Sequence, residues 1–249
     1  PLPWRATRDP YALLVSEVML QQTQAARVVP RYEAFLARFP TAVALAAAPP
    51  AEVLEEWSGL GYNRRALALQ AAARAVAERG WPEDLTELPG VGAYTDAAVA
   101  SFAWDAPRAA VDTNVRRVIS RFDGIAHGPA ELARRAAEVM PAGGAATHNQ
   151  AMMELGATVC RPRRPGCGEC PISNGCASRD RVPAAPASRR SRSSRFEDTD
   201  RWARGRILAA LLAGAEAPRL EPERRARAEA GLLRDGLAVR RTDGALAPP

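Results

Sequence analysis

Helical periodicity runs through the chain from Pro10 to about Gly156, and this feature most constrains the fold. Apolar residues recur at i, i+3, i+4 and i+7, the spacing of a half-buried helix. Two such stripes are Tyr11, Leu14, Val15 and Val18, and Val115, Val118, Ile119 and Phe122. An Ala-rich segment, Arg64 to Arg79, is followed by Gly80, a common helix stop. Because no alternating strand pattern occurs before residue 230, we expect an all-α body.

The composition divides the chain into two parts joined by a linker. Residues 182–198 are rich in Pro, Ala, Ser and Arg and have few apolar positions, as is typical of a linker. They separate a main body of residues 1–181 from a C-terminal unit of residues 199–249. A chain of 249 residues is long enough for one large or two modest domains.

The C-terminal unit has a pattern of its own. Amphipathic spacing predicts one helix over 199–212 and another over 221–233. A short hairpin is predicted over 237–246, with its turn at Asp243-Gly244. The order helix, helix and hairpin predicts a small winged-helix-like unit.

The basic residues are all arginine, since the 34 Lys+Arg positions include no lysine. A net charge of +6 carried by guanidinium groups predicts a polyanionic partner, because the planar fork of Arg matches phosphate. Codon usage that favours Arg and Ala is the alternative explanation. Without lysine, the chain lacks the usual amine of Schiff-base catalysis and the usual lysine of a P-loop, and only its α-amino group could replace them.

Four cysteines lie close together, at Cys160, Cys167, Cys170 and Cys176. The Pro and Gly residues between them favour a tight loop that could enclose one ion or cluster. Structural zinc sites generally use two short Cys pairs, whereas only Cys167 and Cys170 are so closely spaced here. The single run therefore suits a cubane iron–sulfur cluster better. Two disulfides are the alternative, and they are uncommon in chains without a secretory signal.

The segment from Leu88 to Gly92, with Pro89, Gly90 and Val91 between them, precedes a helical run that starts at Ala93. Its glycines allow a tight turn that brings backbone amides close to an anion, and the following helix adds its positive N-terminal dipole. Such a helix-hairpin-helix element binds a DNA phosphate without reading the sequence. A simple turn between two helices is the alternative.

Asp112 stands directly before the second apolar stripe. This position is typical of a helix N-cap, which is the structural alternative to a functional role. Amide donors and the helix dipole favour the ionised carboxylate in either case. An ionised carboxylate can stabilise the oxocarbenium-like state through which a glycosidic bond breaks.

Glu17 shares a helix face with Leu13 and Leu20. Apolar neighbours raise the pKa of a carboxyl group, as a general acid near neutral pH requires. The alternative is a Glu that extends from the helix edge into solvent.

Together these motifs resemble the MutY-type adenine DNA glycosylases, which belong with endonuclease III to the helix-hairpin-helix glycosylases. The resemblance runs from about Leu2 to Cys176. It is carried, in order, by Trp4-Arg5, Asp9-Pro10-Tyr11, Ser16 to Thr23, Gly59 to Tyr62, Leu88 to Gly92, Tyr94-Thr95, Val111 to Val115, Glu154 to Gly156 and the four cysteines. It implies a bilobal fold with a barrel lobe over about 21–111, a second lobe made by the N-terminal segment and 112–159, and a loop over 160–176 that holds a 4Fe-4S cluster.

The resemblance also implies a reaction on double-stranded DNA. An adenine mispaired with oxidised guanine or guanine is flipped out of the duplex and released, since its reacting atoms are inaccessible inside the stack. Glu17 would protonate the base, and Asp112 would stabilise or capture the sugar cation before water attacks. Tyr94 and Asn114 match positions that support these two carboxyl groups.

The residue at Tyr94 distinguishes two chemistries in the family. Endonuclease III-like relatives carry at this position a lysine that attacks the sugar and leads to strand cleavage. Because this chain has Tyr94 and no lysine at all, we expect a monofunctional enzyme that releases a base and leaves an abasic site.

Further residues match substrate contacts of the family. The match implies a pocket for the flipped base, formed by Trp4, Arg5, Leu20 and Glu154. DNA contacts are expected for Gln21, Gln22, Thr23, Tyr62, Leu88, Gly90, Val91 and Gly92. Among these, Gln22 and Tyr62 match residues that insert into the base stack. Arg163 and Arg164, inside the cysteine loop, are expected to contact phosphates, with a solvated basic loop as the alternative.

The chain departs from the family pattern in several places. Thr113 replaces a common Gly after the aspartate, and Asn63 replaces a frequent second Tyr. Asp96 stands where a small residue is usual, and its carboxylate is expected to weaken a nearby phosphate contact. About 67 residues follow Val182, fewer than the roughly 100 to 150 of a full domain such as the Nudix-like one that reads oxidised guanine. The base opposite the adenine therefore stays open.

Two other functions remain possible. A relative that removes thymine or uracil opposite guanine would share Tyr94, Asp112 and the cluster, although Trp4-Arg5 and Gln21-Gln22-Thr23 favour adenine. A non-catalytic iron–sulfur protein that binds DNA would need neither carboxyl group.

The expected location follows from the absence of hydrophobic targeting signals. No apolar run approaches the ~20 residues that span a bilayer, and no signal peptide is recognisable. We expect a monomer without a membrane partner, located in the cytoplasm and associated with the bacterial nucleoid.

Overall fold

The computed structural model describes residues 2–179, 181 and 195–249, and these residues are mainly α-helical. The α-helices are α1 (Pro10–Leu20), α2 (Ala25–Arg38), α3 (Ala42–Ala47), α4 (Pro50–Glu56), α5 (Arg64–Arg79), α6 (Ala93–Trp104), α7 (Thr113–Asp123), α8 (Pro129–Glu138), α9 (Ala145–Glu154), α10 (Asp200–Leu212) and α11 (Pro222–Arg234). A π-helical turn, Leu155–Val159, extends α9. Single 3-10 turns lie at Pro3–Arg5, Leu85–Glu87, Cys167–Glu169, Ser173–Gly175 and Phe196–Asp198. The chain ends in an antiparallel pair, β1 (Val239–Arg240) and β2 (Leu246–Ala247). The all-α prediction for the body is confirmed.

Local sequence signals set several helix ends. The carboxylate of Asp9 accepts hydrogen bonds from the backbone N–H groups of Tyr11 and Ala12, and so caps α1. Asp112 caps α7 in the same way, as its position predicts. The α5 helix ends at Gly80, which adopts φ +79°, a left-handed value that favours glycine.

The α1 helix is central to the larger of two hydrophobic clusters. All its residues from 11 to 19 are buried, because α2, α5 and α6 pack around it. The prediction, made from the apolar stripe, that this helix is half-buried is therefore wrong. The stripe marks the most apolar face, but the remaining positions, which include Ser16 and Glu17, are covered as well.

A second, smaller cluster joins the helices that follow Asp112. Val115 and Ile119 of α7 pack against Leu132 and Ala136 of α8. Met153 of α9 packs against both clusters. The N-terminal segment also touches both regions, because Trp4 packs on Tyr32 of α2 and Arg5 bonds Glu154 at the end of α9. Its assignment to one lobe stays a prediction.

The C-terminal unit consists of the predicted helices and hairpin. In α10, Ala203, Ile207 and Leu208 belong to the larger hydrophobic cluster, and α10 packs on α4 and α11. The hairpin pairs Val239 with Ala247, and Gly244 in its turn has φ +83°. That residues 199–249 form a separate winged-helix-like domain stays a prediction. Most of the predicted linker, residues 182–194, lies outside the described residues.

None of the described helices is long and apolar enough to cross a membrane.

Candidate active site

Glu17 lies in α1 with only 7% of its surface exposed, so its side chain does not extend into solvent. Burial raises the pKa of its carboxyl group to about 7, against a lowering by a hydrogen bond with Tyr94 and a further rise from the nearby charge of Asp112. A carboxyl group with this pKa is partly protonated at neutral pH, and its protonated form can donate the proton to a base.

Asp112 is the N-cap of α7, and hydrogen-bond donors reach both of its carboxylate oxygens. The backbone N–H groups of Asn114 and Val115 donate to Oδ1 at 2.8 and 2.7 Å. The side-chain amide of Asn114 donates to Oδ2 at 2.8 Å. These donors and the positive end of the helix dipole stabilise negative charge on Asp112.

Tyr94 connects the two carboxyl groups electrostatically. Burial raises the pKa of its hydroxyl far above the usual range, and the charges of Glu17 and Asp112 raise it further. Tyr94 therefore remains a neutral hydroxyl that donates to Glu17. The structure thus brings Glu17, Tyr94, Asp112 and Asn114 together.

Arg117, one turn along α7, fixes the amide of Asn114. Its Nη2 donates to Oδ1 of Asn114 at 2.8 Å and to the carbonyl of Gly156 at 2.6 Å. Its Nε donates to the carbonyl of Cys160 at 2.8 Å. With Oδ1 occupied as an acceptor, the amide nitrogen of Asn114 must face Asp112. Sequence analysis did not identify Arg117, although its position three residues after Asn114 on one helix was a usable signal.

Gly156 allows the π-helical turn to lie against this motif. A Cβ atom at Gly156 would come within 2.6 Å of the Cβ of Asn114. A side chain here would push the loop away from the Asp112 cap, which gives a physical reason for a glycine in the Glu154-Leu155-Gly156 motif.

The predicted base-pocket residues lie around the N-terminal segment. Arg5 donates from Nη1 to Oε2 of Glu154 at 2.9 Å, so these two predicted partners meet. Trp4 is buried and packs edge-on against Tyr32 with ring centroids 5.5 Å apart. Leu20 is partly buried at the end of α1. Their role as a pocket stays a prediction.

The predicted DNA-contacting segments that precede α6 line one cleft with a volume of about 960 Å³, whereas Arg163 and Arg164 are not among its lining residues. Gln21 follows α1, Tyr62 precedes α5, and Gly90 and Val91 belong to the hairpin turn. Gln22 and Thr23 continue the first of these segments, and Gln22 is exposed. The fold therefore gathers segments that are far apart in the sequence.

The turn of the helix-hairpin-helix element, Leu88 to Gly92, has the predicted geometry. Gly90 has φ +77°, and a Cβ there would lie 2.7 Å from the Cβ of Ala68 in α5. Gly92 is the N-cap residue of α6. Leu88 and Val91 are buried and anchor the turn, while both glycines remain exposed.

Asp96 does not face this turn as the sequence led us to expect. Its carboxylate is buried and accepts hydrogen bonds from the backbone N–H of Leu85, at 3.0 Å, and from the guanidinium of Arg108. Its charge is turned inward and paired with Arg108 and is therefore not directed at the turn. The effect of Asp96 on a phosphate contact stays a prediction.

All four cysteines line one small cavity of about 30 Å³ and carry free thiols, so the disulfide alternative is not supported. Arg121 donates to Sγ of Cys160 at 3.4 Å and to the carbonyls of Arg161 and Pro162 at 2.8 Å, and so fixes the loop to α7. Among the residues that the structure describes, no three Cys, His, Asp or Glu side chains are close enough to share one ion. Arg163 and Arg164 are exposed on this loop.

Comparisons with known proteins identify the family of the chain. Residues 15–142 match the model of the HhH-GPD superfamily of base excision DNA repair proteins, which spans Glu17 and Asp112. The chain belongs to this superfamily. Within this superfamily of glycosylases, it is 44% identical to an adenine DNA glycosylase of Mycolicibacterium smegmatis, over 99% of the chain and 90% of the relative. It is 41% identical to that of Mycobacterium tuberculosis, over 100% and 88%. The human adenine DNA glycosylase is 42% identical over 73% of the chain and 37% of the relative.

Solved glycosylase structures share the fold. A thermostable thymine-DNA glycosylase superposes with a TM-score of 0.67 at 32% identity, over 73% of this chain and 89% of the other. A trapped endonuclease III–DNA covalent intermediate gives a TM-score of 0.62 at 26% identity, over 70% and 86%. The similarity to the mycobacterial relatives extends through the C-terminal unit, beyond the part shared with these structures.

Proposed function

We propose that this HhH-GPD protein hydrolyses the N-glycosidic bond of an adenine that is flipped out of double-stranded DNA opposite oxidised guanine or guanine. The observation that carries the proposal is the pairing of Glu17, whose pKa is raised to about 7, with Asp112, whose oxygens are held by helix amides. The similarity to adenine DNA glycosylases over nearly the whole chain supports adenine as the base.

The two carboxyl groups divide the reaction between them. Glu17 gives its proton to the imidazole-edge nitrogen of the base, and the base leaves with the electron pair of the glycosidic bond. Asp112 stabilises or captures the sugar cation that develops. Water then adds to the sugar carbon, and the proton that it loses restores the acid. The products are the free base and an abasic site.

Strand cleavage through a Schiff base is not part of this mechanism. Tyr94 stands where endonuclease III-like relatives carry lysine, and its hydroxyl stays neutral beside Glu17. No lysine exists elsewhere in the chain. The proposed enzyme is therefore monofunctional.

The four free thiols that line one cavity are the donor set of a 4Fe-4S cluster, which takes one thiolate for each iron and not several for one ion. Cys160, Cys167, Cys170 and Cys176 would hold it. The cluster would cross-link the exposed loop that carries Arg163 and Arg164, so that both can contact DNA phosphates. We expect a brown protein with absorbance at about 400 nm and about four irons per chain. A colourless protein with stoichiometric zinc would contradict this cofactor.

Incubation with a panel of duplexes tests the proposed substrate. Each duplex carries one A:oxoguanine, A:G, T:G or U:G pair, and alkali then cleaves any abasic site. We expect cleavage at both adenine pairs, and only after alkali. The likeness to a thymine-DNA glycosylase makes thymine or uracil excision the second candidate. Cleavage confined to T:G or U:G would establish it, and binding without cleavage of any duplex would indicate a non-catalytic DNA-binding protein.

We further propose that the protein acts as a monomer on chromosomal DNA in the bacterial cytoplasm. Light scattering of the protein with and without a duplex tests the oligomeric state, and a mass of two chains per duplex would contradict the monomer.

A further inference from the structure

Tyr62, the predicted wedge residue, is an exposed aromatic side chain on a strained backbone. It is 40% exposed and has φ +48°. Among the described non-glycine residues, only Gln22, Tyr62 and Asp105 have positive φ, and two of these are the predicted wedge residues. Such a conformation is unfavourable for a residue with a side chain and persists only where surrounding groups hold it. The contacts of Tyr62 therefore show what positions the wedge.

On the side of the main body, Arg65 holds the two wedge loops together. Its Nη1 donates to the carbonyls of Val18 and Gln21, both at 2.6 Å. Its Nη2 donates to the carbonyl of Gly61 at 3.2 Å, and its guanidinium lies 5.3 Å from the centre of the Tyr62 ring. One cation thus ties the end of α1 to the loop that carries Tyr62.

On the other side of the cleft, Arg201 of α10 contacts the same ring. Its guanidinium carbon lies 3.8 Å from the ring centre, and its Nη1 donates to the Tyr62 hydroxyl at 3.0 Å. This is the closest guanidinium–aromatic contact in the described part of the chain. Stacking and a hydrogen bond together fix both the plane and the direction of the ring.

The two guanidinium groups lie close to each other in this arrangement. Burial lowers the pKa of Arg65, the neighbouring Tyr62 raises it, and the charge of Arg201 lowers it. Neither Arg65 nor Arg201 forms a salt bridge within the described residues. Within the described part of the chain, Arg65 and Arg201 therefore have no carboxylate partner, and a backbone phosphate beside the inserted ring would provide the counter-charge.

We propose that Arg201 is a positioning residue, through which the C-terminal unit holds the Tyr62 wedge in the orientation that inserts into the base stack. Extrusion of the base then depends on α10 as well as on the main body. This role rests on the proposed function, because a wedge has a purpose only in an enzyme that extrudes a base.

A fluorescent adenine analogue, 2-aminopurine, reports extrusion directly, because its emission rises when it leaves the stack. We would place it opposite guanine in a duplex and mix it rapidly with saturating Asp112→Asn protein, which is expected to bind without releasing the base. When the Asp112→Asn protein also carries Arg201→Ala, the rise in fluorescence should be about tenfold slower, as loss of a stacked and hydrogen-bonded guanidinium implies. Arg225→Ala, which removes one guanidinium from α11 of the same unit, should leave the rate within about twofold.

The same substitution in a Tyr62→Ala background separates positioning from direct DNA binding. If Arg201 acts through the ring, Arg201→Ala should then slow the rise less than about twofold further. The proposal would be overturned if Arg201→Ala left the rate unchanged in the protein that retains Tyr62. It would also be overturned if Arg201→Ala slowed the rise equally with and without Tyr62. If Arg201→Ala melts at a lower temperature than Arg225→Ala, its slowing does not separate positioning from stability. Arg201→Gln, whose side chain is longer than that of Ala, then replaces it and should show the same slowing. A parent protein that gives no rise at all would instead refute base extrusion itself.

Discussion

Glu17 and Asp112 carry the same functional group, a carboxyl, in opposite environments. Glu17 lies inside the central helix α1, where burial disfavours its charge and raises its pKa to about 7. Asp112 lies at the start of α7, where three N–H donors reach its oxygens. These environments suit the roles that we propose, in which Glu17 gives a proton and Asp112 faces a cation.

The comparison shows that position along a helix can assign chemical roles. Backbone N–H groups are already bonded within a helix but are free at its N-terminus. Glu17 therefore finds no amide donors in its own helix, whereas Asp112 finds two. Tyr94 lies between them and donates to the carboxyl group that has fewer donors.

The largest effect is expected from Asp112→Asn. Asn caps a helix about as well as Asp, so the fold and DNA binding should persist while the charge is lost. We expect base release to slow by more than about 10³-fold in single-turnover assays. Asp9→Asn is the matched control, because Asp9 caps α1 in the same way. Equal effects of the two substitutions would reduce Asp112 to a structural cap.

A smaller loss is expected from Glu17→Gln, which removes the acid but keeps the shape of the side chain. Base release should slow about 10²-fold near pH 7. A synthetic duplex carrying a better leaving base than adenine, assayed alongside, should lose much less. An equal loss on both duplexes would argue against proton donation by Glu17.

Burial of Glu17 also makes stability depend on pH. Because its pKa is raised in the folded state, its contribution to stability is complete below about pH 4.5 and is lost as the pH rises through 7. Relative to Glu17→Gln, the parent should lose roughly 3 kcal/mol of unfolding free energy between about pH 4 and pH 9. Urea denaturation of both proteins measures this difference. A constant difference across that range would mean that the pKa of Glu17 is not raised.

The smallest effect is expected from Tyr94→Phe, which removes the hydroxyl that donates to Glu17. The Tyr94 hydrogen bond lowers the pKa of Glu17, so its removal should raise that pKa further. The alkaline limb of the activity profile should move to higher pH, with less than about tenfold loss of rate at pH 7. A limb that moves to lower pH would contradict this assignment.

Features with local signals could be read from the sequence. The caps at Asp9 and Asp112, the stop at Gly80 and the hairpin turn near Gly244 each depend on a few adjacent residues. The resemblance to a family supplied the pairing of Glu17 with Asp112, which no local pattern contains.

Features that depend on distant contacts could not be read in this way. Arg65 bonds a carbonyl 44 residues away, and Arg201 bonds Tyr62 across 139 residues. The inward turn of Asp96 depends on Arg108, a partner on a loop beyond α6. Only the packed structure shows which of the many arginines meets which acceptor.

The pH dependence of single-turnover base release most directly tests the division of roles between Glu17 and Asp112. With protein in excess over an A:G duplex, the rate constant of the parent should fall about tenfold per pH unit above about pH 7, as Glu17 loses its proton. In Glu17→Gln this limb should be absent. A parent rate that stays constant from about pH 6 to pH 9, or a limb that persists in Glu17→Gln, would contradict Glu17 as the acid.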